Sequence, residues 1–288
     1  MSKLISIGSL IDLTWDRFRA SLPDYVSLAS VILIAALIQL VGLILFPLAS
    51  ELLSANPISG SETAGVVIYA FGSLVAAFLG FAVYVGVVRL TNRPTIQSFS
   101  LAEALEENKK YFVRSFVAAV LFGLLIVAAF AIGLVPSSLF VLLSPFISSP
   151  IILAILDLLL IVFILGSYLM VLIWSVEYYF APYSALLDKK IGKDALKHSR
   201  SLVRGRFWSV FLRLTIPKLV FALFAVLILT VLYYVALLFI NIFAGLSVDL
   251  RIRLFSIVKT IFPMIVAVFI SPLLIIADTM LYKSLTER

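Results

Sequence analysis

Basic residues are separated from apolar ones in the stretch Gly192-Lys-Asp-Ala-Leu-Lys-His-Ser-Arg-Ser-Leu-Val-Arg-Gly-Arg-Phe-Trp208. At about 100° per residue of helix, one narrow stripe is basic. It contains Lys193, Lys197, Arg200 and Arg204. Another side of the same helix holds small and apolar residues, namely Ala195, Leu196, Ser199, Leu202 and Val203. The pattern predicts an amphipathic helix over residues 192–208 that lies on a membrane surface.

The composition around this helix indicates an integral membrane protein. Of the 288 residues, 63% are hydrophobic and 13% are charged, whereas soluble proteins average about 45–50% apolar and about 25% charged residues. Several uncharged runs approach or exceed the roughly 20 residues that cross a bilayer core. These runs cover residues 25–50, 63–88, 115–156, 158–176, 219–248 and 260–277.

The run at residues 115–156 is long enough for two passes. It contains several serines and three prolines, Pro136, Pro145 and Pro150. A turn is therefore predicted at residues 136–150, and the fourth span is expected to run from about Ile151 to Phe180 and to be closed by Pro182. Six spans result, so the predicted fold class is all-α, a polytopic membrane helical bundle forming one domain over residues 1–288.

The positive charges are distributed unevenly between the two sides of the predicted bundle. Three loops share one side, at about residues 50–63, 136–150 and 247–259, and of the 22 Lys and Arg residues they contain only Arg251, Arg253 and Lys259. Because Lys and Arg are concentrated in cytoplasmic loops, both termini are predicted to be cytoplasmic, in a multi-pass protein of the inner membrane. This asymmetry accounts for the net charge of +7 without a nucleic-acid partner.

Each pair of spans follows an amphipathic helix, so the chain is predicted to form three hairpins, each preceded by a cytoplasmic helix. These helices are expected at residues 4–22, where Pro23 ends the first one, and at residues 101–116 and 192–208. Aligning Ala104 with Ala195 places Lys109 opposite Arg200. The spacing predicts pseudo-repeats, although any helix before a span would align partly by chance. Their limits are about 1–95, 96–190 and 191–288.

A family resemblance is carried by the residues between Trp174 and Trp208. The matching features are Glu177-Tyr-Tyr-Phe-Ala-Pro182, Asp188, Ala195-Leu196, Ser199, Arg204-Gly205 and Phe207-Trp208. This segment resembles the six-span membrane domain attached to some bacterial glycerophosphodiester phosphodiesterases, and related standalone membrane proteins. The resemblance implies a six-helix fold with cytoplasmic amphipathic linkers. It implies no enzyme, because phosphodiester cleavage in that family belongs to a separate soluble domain.

The basic stripe is the first candidate site. Lys193, Lys197, Arg200 and Arg204 suit the anionic headgroups of membrane lipids, which attract each basic residue near the surface by about 1 kcal/mol. Membrane lipids are therefore the expected partners, and a membrane-protein partner or a homo-oligomer stays open. The alternative interpretation is topological, because the same charges would fix the orientation and bind lipid only nonspecifically.

Asp157 is the second candidate, because it falls within the fourth predicted span. An ionised carboxylate at membrane depth costs about 2.5 to 3.5 kcal/mol unless it is paired or hydrated. A partner is expected among the cations of the same side, which are Arg251, Arg253 and Lys259. The pair would be structural, or the carboxylate would belong to a proton or substrate site.

Two more acidic residues, Glu177 and Asp278, are predicted near the inner ends of spans four and six. They are expected to join an inner-rim charge network with Arg89, Arg213 and Lys218. Charges at headgroup depth are inexpensive, so a structural role is favoured for this network.

Motifs of common enzyme classes are absent from the sequence. It has no Walker A loop, dinucleotide glycine fingerprint, His-Glu-x-x-His helix or Gly-x-Ser-x-Gly elbow. With no cysteine and the single histidine His198, neither thiol catalysis nor a His-rich metal site is available. We therefore expect no enzyme, cofactor or metal. The predicted function is an accessory or scaffold component that organises lipids or a partner protein; the alternative is a transporter or permease subunit with a polar path that includes Asp157.

Overall fold

The computed structural model describes residues 4–45, 60–93, 101–242 and 248–287, and every regular element in these ranges is helical. This confirms the all-α class. Ten α-helices follow one another in this part of the chain. They are α1 (Ile7–Ala20), α2 (Leu22–Ser30), α3 (Ile32–Leu45), α4 (Gly60–Asn92), α5 (Leu101–Leu143), α6 (Pro150–Glu177), α7 (Ala181–Leu187), α8 (Lys193–Val203), α9 (Phe207–Ile242) and α10 (Val248–Thr286).

Six helical segments of the described chain are long and apolar enough to cross a membrane, which confirms the predicted number of spans. Their most apolar windows have a mean hydropathy between 2.3 and 2.8. The shortest has 24 residues, more than the roughly 20 that a bilayer core requires. The segments are Leu22–Leu45, Thr63–Asn92, Tyr111–Phe146, Pro150–Leu187, Phe207–Ile242 and Leu250–Thr286.

The prediction that Pro23 ends the first amphipathic helix is wrong. Helix α1 already ends at Ala20, and the N–H of Ser21 donates to the carbonyl of Phe18 at 3.3 Å. Pro23 lies in the first turn of α2, where the N–H that proline lacks would have no partner within the helix. The first span consists of α2 and α3, which meet at Val31.

The turn between the third and fourth spans is shorter than the predicted 136–150. Helix α5 continues through Pro136 to Leu143, and α6 already begins at Pro150. Proline removes one backbone hydrogen bond, whereas ending a helix at membrane depth would leave several backbone groups without partners. The helix therefore continues, and the turn that follows it contains the short 3₁₀ helix Ser144–Phe146. Of the loop predicted at 50–63, residues 50–59 lie outside the described ranges, and α4 begins at Gly60.

The chain divides into two compact units. Unit 1 comprises residues 1–109 and 213–287, and unit 2 comprises residues 110–212. These limits do not coincide with those of the three pseudo-repeats, which remain a prediction.

In unit 1, helices α3 and α4 approach closely at two glycines. A Cβ at Gly42 would lie 2.6 Å from the backbone nitrogen of Tyr69, and one at Gly72 would lie 2.7 Å from Cγ of Gln39. Gln39 is buried, and its Nε2 donates to Oγ of Ser73 at 3.0 Å. Small residues and an interhelical hydrogen bond are the usual means of joining helices in a membrane, where hydrophobic burial contributes little.

The remaining core of unit 1 joins α1, α2 and α4 to α10. Phe18, Tyr25, Val87 and Ile276 belong to one buried cluster. The hydroxyl of Thr91 donates to the carbonyl of Val87 at 2.8 Å, so the hydroxyl of Tyr25 donates to Thr91 across 3.1 Å. Helix α1 therefore packs against protein. The sequence also predicts that this partly polar helix lies at the membrane surface.

Candidate functional site

The basic helix is shorter than predicted. Helix α8 begins at Lys193 after Gly192 (φ +55°) and ends at Val203, because Arg204 is extended and Gly205 has φ +82°. Both glycines adopt the left-handed region that other residues avoid. Arg204 therefore lies beyond the helix rather than on its basic stripe, and Phe207 and Trp208 belong to α9.

One face of α8 is buried. Its buried residues are Ala195, Leu196, Ser199, Leu202 and Val203, the same five that the helical periodicity groups together. Ala195 and Leu196 pack with Ala118 of α5 and with Ala181 and Ala185 of α7. Alanines on facing helices let the backbones approach closely, and α8 is consequently held against the rest of unit 2. Lys193, Lys197 and Arg200 are exposed on the remaining surface.

Helix α7, at Ala181–Leu187, is a feature that the sequence pattern did not predict. Pro182 was expected to close the fourth span, but it lies in the first turn of α7, and residues 181–186 are all buried. The physical reason is the one that applies to Pro23, because a proline fits the start of a helix as well as the position after one. The small helix supplies part of the surface on which α8 rests.

Ser199 connects α8 to the end of α6. Its side chain is fully buried, its hydroxyl donates to the carbonyl of Glu177 at 2.8 Å, and it accepts the N–H of Phe180 at 3.1 Å. The last carbonyls of a helix lack partners within that helix. One serine thus satisfies a carbonyl at the end of α6 and an N–H in the following turn. Helical periodicity predicted the correct face for Ser199 but indicated no role for it.

Glu177 forms an ion pair with the basic helix. Arg200 Nε lies 3.1 Å from Glu177 Oε2, and the side chains are 56% and 16% exposed, respectively. Solvent screens such a pair, so it contributes about 0.5 kcal/mol. It connects the basic helix to the end of α6.

A groove of about 400 Å³ runs beside the exposed face of α8. Its apolar wall consists of Leu121, Leu124 and Leu125 of α5, together with Tyr178 and Leu196. Its other edge consists of Lys193, Lys197 and Arg200, which recur at helical spacing and share one face. The structure therefore brings three of the four predicted stripe residues to one groove, and Arg204 is not among those that line it. A ligand for this groove would need both an anionic and an apolar part.

His198 lies beside the groove-lining residues but contacts another partner. Its Nε2 is 3.0 Å from Asp188 Oδ2, which is an ion pair when the imidazole is protonated. Within the described ranges, no three His, Cys, Asp or Glu side chains are grouped so that they could hold a metal ion.

Asp157 and Asp278 are not among the residues that line this groove. Asp157 is exposed in the second turn of α6, and its predicted partners belong to unit 1, so that pairing remains a prediction. Asp278 is 4% exposed and its Oδ2 lies 3.1 Å from Nζ of Lys218. In unit 1, Arg213 Nε donates to the carbonyl of Ile5 at 2.6 Å. Of the residues grouped in the inner-rim network, Lys218 and Asp278 are thus in contact, whereas Glu177 contacts Arg200.

Comparison of the chain with family models, with curated proteins and with solved structures finds no match. The resemblance to the phosphodiesterase membrane domain therefore rests on the residues between Trp174 and Trp208 alone, and it remains a prediction.

Proposed function

We propose that this chain is a non-enzymatic accessory or scaffold protein of the inner membrane that organises anionic lipids or a partner protein at the cytoplasmic face. The observation that carries the proposal is the exposed cationic edge formed by Lys193, Lys197 and Arg200 on a helix whose other face is buried. Anionic headgroups are attracted to such an edge. The buried face and the Ser199 hydrogen bonds fix the edge in position, so a partner is met by a preorganised surface.

The test is mass spectrometry of the lipids and proteins that copurify with the full chain in native lipid particles. The variant combines Lys193→Gln, Lys197→Gln and Arg200→Gln. A matched control combines Lys189→Gln, Lys190→Gln and Arg204→Gln, which removes the same charge from exposed positions that do not line the groove. We expect a specific lipid or protein to be lost from the first variant and retained by the control. Identical profiles from all three proteins would refute the proposal.

A second candidate function, a transporter or permease subunit, is favoured by the Lys218–Asp278 pair. Both residues belong to segments apolar enough to span a membrane, and Asp278 is buried whereas Lys218 is half-buried. Ionisable residues within such segments often mark a proton or ion path. This candidate predicts a proton or ion flux in proteoliposomes that Asp278→Asn abolishes and that the groove variant leaves unchanged. The accessory function predicts no flux from either protein.

A further inference from the structure

We propose that the groove of unit 2 binds one anionic phospholipid of the surrounding membrane. The phosphate would contact Lys193, Lys197 and Arg200, and one acyl chain would lie on Leu121, Leu124 and Leu125. The inference rests on the proposed function and goes beyond it by naming the ligand class and the apolar half of the site.

The apolar wall suits an acyl chain because of its spacing and its depth. Leu121, Leu124 and Leu125 are separated by about one turn or less of α5 and form a continuous strip. They belong to the first half of the candidate span Tyr111–Phe146. Leu124 is 59% exposed, so its side chain is available to a chain lying in the groove.

The cationic edge suits a phosphate because its residues act from one helix face. Lys193, Lys197 and Arg200 line the same groove as the leucines, so an amphiphile in it could contact both sets of residues. The groove volume of about 400 Å³ lies within the roughly 300 to 1,000 Å³ of ordinary ligand sites. A soluble anion would leave the leucines without a partner, and a lipid of no net charge would leave the positive charge of Lys193 and Lys197 unbalanced, since Arg200 already pairs with Glu177. This complementarity of charge and polarity selects an anionic lipid.

The test measures lipid binding to the detergent-solubilised full chain by native mass spectrometry. The probes are phosphatidylglycerol, phosphatidylcholine and the water-soluble headgroup analogue glycerol phosphate. We expect one phosphatidylglycerol to bind more tightly than phosphatidylcholine, and glycerol phosphate not to displace it. Lys193→Gln with Lys197→Gln should weaken the binding of phosphatidylglycerol about thirtyfold, because the attraction of two cations to the headgroup is lost. The pair Lys189→Gln with Lys190→Gln, also exposed, should change nothing.

The apolar half of the site is tested with a matched pair of substitutions on α5. Leu124→Trp fills the groove and should weaken the binding of phosphatidylglycerol about tenfold, because roughly two methylenes of its acyl chain would be left unburied. Leu134→Trp is the control, because Leu134 is 61% exposed on the same helix and does not line the groove. Thermal unfolding of each variant shows whether the fold is retained; if Leu124→Trp unfolds, Leu124→Asn replaces it with the same expected loss.

The outcomes separate the inference from the proposed function. If the charge variant weakens binding while Leu124→Trp does not, the acyl site is refuted and the accessory function stands. If both lysine pairs weaken binding equally, or glycerol phosphate displaces the lipid, the groove is not a phospholipid site. If phosphatidylglycerol and phosphatidylcholine bind alike, the inference fails. The copurification profile then still tests whether the accessory function depends on a protein partner.

Discussion

At the scale of single residues, Ser199 shows which part of the site could be predicted. Helical periodicity places it on the apolar side of α8, because that side follows from spacing alone, and the structure shows this side to be buried in protein. Its partners, the carbonyl of Glu177 and the N–H of Phe180, belong to an element 19 or more residues earlier. Spacing along one helix contains no information on such contacts. A lone serine among four apolar residues was the available signal, since a buried hydroxyl requires a hydrogen-bond partner.

Replacing this serine should therefore destabilise unit 2. Ser199→Ala leaves a carbonyl and an N–H without their partner at the end of α6, and buried groups left this way cost about 1 to 3 kcal/mol. We expect a lower midpoint of thermal unfolding. The control is Ser201→Ala, because Ser201 is exposed and its hydroxyl donates to the carbonyl of His198 in the same helix. Equal melting of both variants would contradict the role given to Ser199.

At the scale of elements, the existence of the long helices followed from hydropathy, but their limits did not. Pro23 and Pro182 were expected to end helices and instead lie near the starts of α2 and α7. Proline is compatible with both positions, and Pro136 lies inside α5. The choice among these positions depends on which backbone groups find partners in the folded chain, so it is decided by tertiary structure.

The close approach of α3 and α4 gives a prediction at the same scale. Gly42→Ala would place a methyl group 2.6 Å from the backbone nitrogen of Tyr69, so the two helices would have to separate. We expect a loss of about 2 kcal/mol in unfolding free energy, measured in detergent by denaturant or heat. Gly80→Ala on α4 is the control, because its Cβ would lie 3.7 Å from Cδ1 of Ile32, an ordinary contact. A Gly42→Ala protein as stable as this control would argue against tight packing at Gly42.

At the scale of the whole molecule, the number of spans could be predicted because a run of about 20 consecutive apolar residues is typical of a membrane-spanning helix. The division into two units could not, because it depends on which spans pack together. Nor could the groove, whose two walls come from α5 and α8, far apart in the sequence. Only its cationic wall could be predicted from the sequence, because the basic residues of that wall recur within one helix.

The orientation of the molecule remains a prediction that labelling can test. The chain contains no cysteine, so single cysteines report their own position. Ser148→Cys, in the turn between α5 and α6, should react with a membrane-impermeant maleimide in intact spheroplasts. Lys190→Cys, before α8, should react only after the membrane is permeabilised, because the basic side is expected to be cytoplasmic. Both positions are exposed, and the reverse labelling would invert the topology.

The length of α5 has a consequence for the thickness of the membrane. Its 43 residues extend over roughly 65 Å at about 1.5 Å per residue, and a bilayer with its headgroups measures about 40–45 Å. The apolar part of the helix begins at Tyr111, after the glutamates and lysines of residues 103–110. In a thicker or thinner bilayer this helix can change its tilt, or the number of its turns in water, while its backbone hydrogen bonds stay intact.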